Sequence, residues 1–188
     1  MTTRDLVLAA LFAAIIVVLG LLPPIPVGFI PVPIHAQSLG VMLAGVVLGA
    51  KRGTVAVLIF LLLAAIGLPV LSGGRGGLGV FMAPPAGYLV GFVFAAFVTG
   101  WISERVIKRE QSGLGQIASF FVAAVIGGIL VDHLIGVLWL AYGPTNLGLA
   151  NAFLGTLAFV PGDIVKAVVA ALAGRAVMVG YPLLPARA

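Results

Sequence analysis

The stretch Pro161-Gly162-Asp163-Ile164-Val165-Lys166 places a carboxylate and an ammonium three residues apart inside an otherwise apolar run from Leu147 to Val179. Each ion at bilayer depth costs roughly 2.5–3.5 kcal/mol on insertion scales, so such residues face a cavity or a partner. A spacing of three puts both heads on one helix face. Pro161 and Gly162 mark a helix start. Proline is tolerated in a first turn whose N–H has no partner, and Asp163 then stands at the positive end of the macrodipole. Two readings of the pair stay open at this level: a ligand or ion site, and a self-neutralising clip between helices.

The surrounding composition sets the class. Of 188 residues, 62% are hydrophobic and 8% charged, with a mean hydropathy of +1.29, whereas about a quarter of a soluble domain is charged. The chain therefore reads as an integral membrane protein. Several apolar segments are long enough to cross about 30 Å of hydrocarbon, and none alternates as a barrel strand does, so the spans are helices. The absence of cysteine excludes disulfides, thiolate metal sites and cysteine nucleophiles. The net charge of +5 does not point to nucleic acid, because no basic tract is interleaved with aromatics; the cations cluster in gaps between spans, as topology signals do. Arg4 and Asp5 precede an apolar run without a small-residue cleavage pattern, which reads as a retained first helix.

The chain divides into a single transmembrane domain with spans at about 6–22, 35–50, 54–71, 82–101, 114–142 and 161–179, and a short re-entrant or interfacial helix at 149–160. The first span stops at Pro23-Pro24-Ile25-Pro26. Along it Ala9 and Ala13 share one face, and Ala10 and Ala14 another, small-residue stripes that let a second helix approach. Lys51-Arg52 and the connector Glu104, Arg105, Lys108, Arg109, Glu110 mark the cytoplasmic side. Arg75, in the glycine-rich loop Ser72 to Gly79, is the one cation in an outer loop; it is either a ligand contact or a solvated arginine. With Arg4, Arg175 and Arg187 also inside, six spans with both termini cytoplasmic follow.

This topology brings Gln37, Arg75, Tyr88, Asp132, Asn146, Asp163 and Lys166 to a common depth near the outer ends of the spans. Asp132 either counters Arg75, Lys166 or a ligand there, or is an interfacial ion or a local partner of His133. A pocket with both charge signs, amide and phenol groups and apolar walls suits a small amphipathic solute. Catalysis finds little support: there is no nucleophile triad in context, no HExxH, no carboxylate cluster for a metal and no P-loop.

Four stretches in chain order resemble the BioY family, the substrate-binding S components of energy-coupling-factor (ECF) biotin transporters. They are Pro31 to Gly45, Gly67-Leu68-Pro69-Val70, Gly73-Gly74-Arg75-Gly76-Gly77 followed by Pro84-Pro85-Ala86-Gly87-Tyr88, and Pro161 to Lys166. The resemblance implies an all-α, six-span S component in the cytoplasmic (inner) membrane of a prokaryote. It would bind biotin from outside and work with a transmembrane T component and two cytoplasmic ATPases. It implies no resident cofactor, ATP being used only by the partner subunits. The family's binding residues carry over to Asp163 and Lys166, then to Arg75 and Tyr88, with Gln37, Gly76, Gly77, Asn146 and Asp132 as further candidates; Ala9, Ala13, Ala10 and Ala14 match its partner-docking stripe. This sequence departs from the family pattern at His35, Leu71 and Pro85-Ala86, which bears on ligand contacts rather than on substrate class. A stand-alone or proton-coupled carrier of a vitamin-like solute, with Asp163, Asp132 or His133 as relays, is the alternative transport reading, and a purely structural subunit the remaining one.

Overall fold

The structure, a computed structural model, describes residues 1–107 and 111–184; Lys108, Arg109, Glu110 and Arg187 of the expected cytoplasmic face lie outside the described residues. It is all-helical, and the extended pairings among the described residues are two isolated bridges, Ile25–Ile34 and Leu71–Arg75. In chain order the helices are α1 (Thr3–Gly20), α2 (Gln37–Ala65), α3 (Ala86–Val106), α4 (Gly113–Ala124), α5 (Asp132–Tyr142), α6 (Leu149–Thr156) and α7 (Val160–Gly180). A π-helical segment, Val125–Val131, joins α4 to α5, and a 3-10 turn, Leu157–Phe159, joins α6 to α7. Five stretches among the described residues are long and apolar enough to cross a membrane: Thr3–Gly20, Gln37–Ala65, Ala86–Val106, Gly113–Tyr142 and Leu149–Gly180.

The 29 residues of α2 are two limbs rather than one rod. Gly49 has a φ of 82°, a left-handed conformation that glycine adopts without penalty. A Cβ added at Gly53 would stand 2.7 Å from the Ala44 carbonyl oxygen, whereas nine residues of straight helix would separate the two by about 13.5 Å. The chain therefore turns back at Gly49. Glu104 of α3 accepts the freed Ala50 N–H at 3.0 Å, and Arg52 donates to the Leu48 carbonyl at 2.9 Å. These bonds satisfy groups that a helix break would otherwise leave orphaned.

Arg52 also ties the chain ends together. Its guanidinium pairs with Asp5 at 3.5 Å and donates to the Leu183 carbonyl, while Arg4 donates to the Tyr181 hydroxyl at 2.7 Å. The start of α1, held by a Thr2–Asp5 capping box, thus lies at the same end of the molecule as the α2 reversal and the C-terminal segment.

Helix ends differ from expectation in the glycine-rich region. The second limb of α2 stops at Ala65 rather than at Leu71, because Gly67 is left-handed (φ 102°) and Pro69 follows. Helix α3 begins at Ala86 rather than at Met82, since Pro84 and Pro85 precede its first turn and Leu78–Met82 forms a 3-10 turn instead. Close crossings are built on glycine: a Cβ at Gly87 would overlap Trp139, one at Gly91 would overlap Asp132, and one at Gly136 would overlap the Tyr88 ring. Small residues four apart are the usual way for membrane helices to approach closely, and here they seat α5 on the N-terminal half of α3.

Packing separates the two alanine stripes of α1. Ala9 and Ala13 are buried at 0% and 1% exposure among residues of α2 and its neighbours. In the isolated chain both therefore pack into its own core rather than onto its outer surface. Ala10 and Ala14 remain on the outer face.

Candidate functional site

The N-terminal ends of α2, α3 and α7 converge with the junction of the π segment and α5. Asp163, in the first turn of α7, is buried at 4% exposure. Its Oδ1 accepts from Lys166 Nζ at 2.8 Å and from Ser38 Oγ at 3.3 Å, and its Oδ2 lies 2.9 Å from His133 Nε2. Lys166 donates also to the His35 carbonyl at 2.7 Å and to Ser38 Oγ at 2.9 Å. An ammonium has three donors, and all three are taken up by the protein.

A cavity of about 30 Å³ opens beside this pair, lined among others by Val32, Ser38, Phe92, Asp132, Phe159 and Lys166. Three aromatic rings meet edge to face along it: Tyr88 with His133 at 6.2 Å, Tyr88 with Phe159 at 5.8 Å, and His133 with Phe159 at 6.1 Å between centroids. The Tyr88 hydroxyl is fixed 2.7 Å from Thr156 Oγ1. Asp132 is buried at 3% exposure, and its Oδ1 has no hydrogen-bond partner. A second cavity of about 20 Å³ shares His35 and Tyr88 with the first and reaches Ser72 and Arg75. Arg75 donates one bond, from Nε to the Ser72 carbonyl at 3.1 Å, out of the five its guanidinium has available.

The residues expected from sequence sort into three groups. Asp163, Lys166, Tyr88 and Asp132 line the first cavity and Arg75 the second. Gln37 borders the second cavity, but its amide is engaged in structure: it donates to the Ile16 and Val70 carbonyls at 3.2 and 3.0 Å and accepts from Ser72 N–H at 2.8 Å. Gly76, Gly77 and Asn146 line neither of these two cavities. A Cβ at Gly76 would overlap the Leu68 carbonyl, and the Gly77 N–H bonds to the Ala64 carbonyl at 2.7 Å. Asn146 is an exposed turn residue with a φ of 44°, a conformation asparagine tolerates.

Sequence reasoning missed Ser38, Thr156 and the partner of His133. The local pairing of Asp132 with its neighbour is replaced by a bond from His133 to Asp163 across 30 positions. Ser38 had a signal: it follows Gln37 by one position at the start of a span whose polar residues are otherwise few.

Comparison with known proteins bears on the chain as a whole. The BioY family model matches residues 1–182. The biotin transporter BioY of Rhizobium etli is 70% identical over 188 residues, covering 100% of both chains, and that of Rhodobacter capsulatus is 48% identical over 184 residues, covering 93% of each. The crystal structure of the S-component for biotin from an ECF-type ABC transporter superposes with a TM-score of 0.89 at 36% identity, covering 97% of each chain. This multi-pass helical membrane protein belongs to the BioY family.

Proposed function

We propose that the chain is the membrane-embedded biotin-binding subunit of an ECF-type transporter, energised by a T component and ATPases rather than by chemistry of its own, and needing no resident cofactor. The observation that carries the reading is the division of labour between two cations. Lys166 has no donor left for a ligand, whereas Arg75 has donors free beside the adjoining cavity. Arg75 therefore takes the valerate carboxylate, and Lys166 holds Asp163 in place. A guanidinium pairs with a carboxylate in a bidentate, charge-assisted fashion that is strong once water is excluded.

The ureido head belongs at the other end. Asp163 keeps an unused lone-pair direction, and the Asp132 Oδ1 has no protein partner; both accept N–H groups, while Tyr88, Phe92 and Phe159 supply apolar wall. Each cavity holds about one or two waters, far less than a bicyclic vitamin. Binding joins the two into one slot by parting His35 and Tyr88, which border both.

We read the two limbs of α2 as separate crossings, which makes six, in the cytoplasmic membrane. Lys51 and Arg52 at the Gly49 reversal, with Asp5 and Leu183 joined to Arg52, support placing both termini on the cytoplasmic side.

The test is equilibrium binding of labelled biotin to the purified protein in detergent, competed with biotin, thiamine, riboflavin and the neutral carboxamide of biotin. Displacement by biotin alone among the vitamins is expected. Arg75→Ala is expected to weaken biotin at least tenfold and to leave the carboxamide unchanged. Folded wild-type protein that binds no biotin would sink the assignment, and an Arg75→Ala effect equal on both ligands would move the carboxylate elsewhere.

A further inference from the structure

The stretch that carries Asp132 and His133 is not an uninterrupted α-helix. The π-helical segment Val125–Val131 ends at the residue before Asp132. In such a segment the backbone bonds run over five residues instead of four, and single π turns recur at functional sites. One residue more than an α-helix needs is accommodated there.

The exposure pattern records this winding. Val122, Leu130, Leu134 and Leu138 are all exposed, at numbers that differ by multiples of four. In an unbroken α-helix, the four steps of four from Val122 to Leu138 drift by about 160° around the axis. The extra residue takes back about 100°, which keeps these side chains on one outer face. On the inner face, burial passes from Phe120 and Ala124 to Asp132, Gly136 and Leu140. The interval of eight between Ala124 and Asp132 spans the π segment.

The segment is held from both sides. A Cβ at Gly127 would overlap the Thr99 hydroxyl and stand 2.6 Å from the Thr99 nitrogen, and one at Gly128 would stand 2.5 Å from Met42 Cγ. Helices α3 and α2 thus fix where the π turn lies.

We propose that the extra residue of the π-helical segment is a positioning element of the site, rotating Asp132 and His133 by about 100° into the cavity. Its bearing on affinity rests on the biotin reading above; its bearing on geometry does not.

Three variants of the full chain test it: deletion of Ile126, the same deletion with an alanine inserted after Ala124, and the same deletion with an alanine inserted after Leu134. The first insertion restores the residue count ahead of Asp132, and the second restores it only beyond the site. Two readouts are taken in detergent. One is biotin binding. The other is the coupling between His133→Ala and Asp163→Asn in thermal unfolding, which reports the His133–Asp163 contact without ligand. The deletion and the downstream insertion are expected to lose that coupling and at least tenfold in biotin affinity; the upstream insertion is expected to restore both. Equal restoration by the two insertions would overturn the proposal, since helix length alone would then matter. If the bare deletion does not fold, the two insertion variants, matched in length, still decide. If wild-type protein binds no biotin, the ligand assignment falls while the coupling still tests the rotation.

Discussion

Replacing the Asp163 carboxylate by an amide leaves the Lys166 ammonium, which bonds to two neutral oxygens besides Asp163, without its counter-charge. Breaking a buried pair by removing one partner costs about 3–5 kcal/mol, while replacing both by apolar groups of similar volume is often neutral. Asp163→Asn is therefore expected to lower thermal stability by about that amount, and Asp163→Leu with Lys166→Met to recover most of it. The two readings of the pair part at this point. A clip between helices predicts that the double variant still binds biotin; a ligand site predicts that it is folded and silent, and equilibrium binding separates them. The pair itself was legible because an ion in an apolar run has few explanations. Its third member was not, since nothing in the spacing of His133 and Asp163 announces a contact across 30 positions. Gly76, Gly77 and Asn146, which line neither cavity, are less legible for the opposite reason: glycine and asparagine serve turns as readily as ligands.

At the scale of elements, glycine decides how near the helices come. Gly100 of α3 rests against the α2 reversal so closely that a Cβ would overlap the backbone of Gly49 and Ala50. Neither side can yield by rotating a side chain, so Gly100→Ala is expected to cost about 1–3 kcal/mol or more, the range for overpacked sites, measured as loss of thermal stability in detergent. Gly91→Ala meets a side chain instead, the Asp132 carboxylate, and is expected to weaken biotin binding more than it lowers stability. Helix existence was readable from apolar run length, and the reversal of α2 at Gly49 from the charge of the neighbouring Lys51-Arg52. The early end of α2 at Ala65 and the late start of α3 at Ala86 were less so, because apolarity continues through Leu68, Val70 and Leu71 while backbone conformation does not. The π turn has no compositional signature beyond the adjacent Gly127 and Gly128.

At the scale of the whole molecule, α1 presents one small-residue stripe to the core and another to the outside. Its inner stripe, Ala9 and Ala13 with Phe12 and Ile16, is buried in the chain's own core. Its outer stripe, Ala10 and Ala14 beside Leu11 and Val18, is exposed. In a bilayer, apolar exposure alone draws no helix in, since lipid tails are equally apolar; small residues that allow close approach do. The sequence points first to Ala9 and Ala13 and second to Ala10 and Ala14, and packing leaves the second stripe on the outer face. If the outer stripe receives the T component, Ala10→Trp with Ala14→Trp is expected to abolish ATP-driven biotin uptake in cells supplied with the ECF module, and co-purification with it, while biotin affinity of the purified chain stays unchanged. Ala9→Leu and Ala13→Leu are expected to act through folding instead, lowering thermal stability and with it both binding and uptake. Full uptake by the outer-stripe variant would remove α1 from the interface and leave the other exposed helices as the surfaces to test.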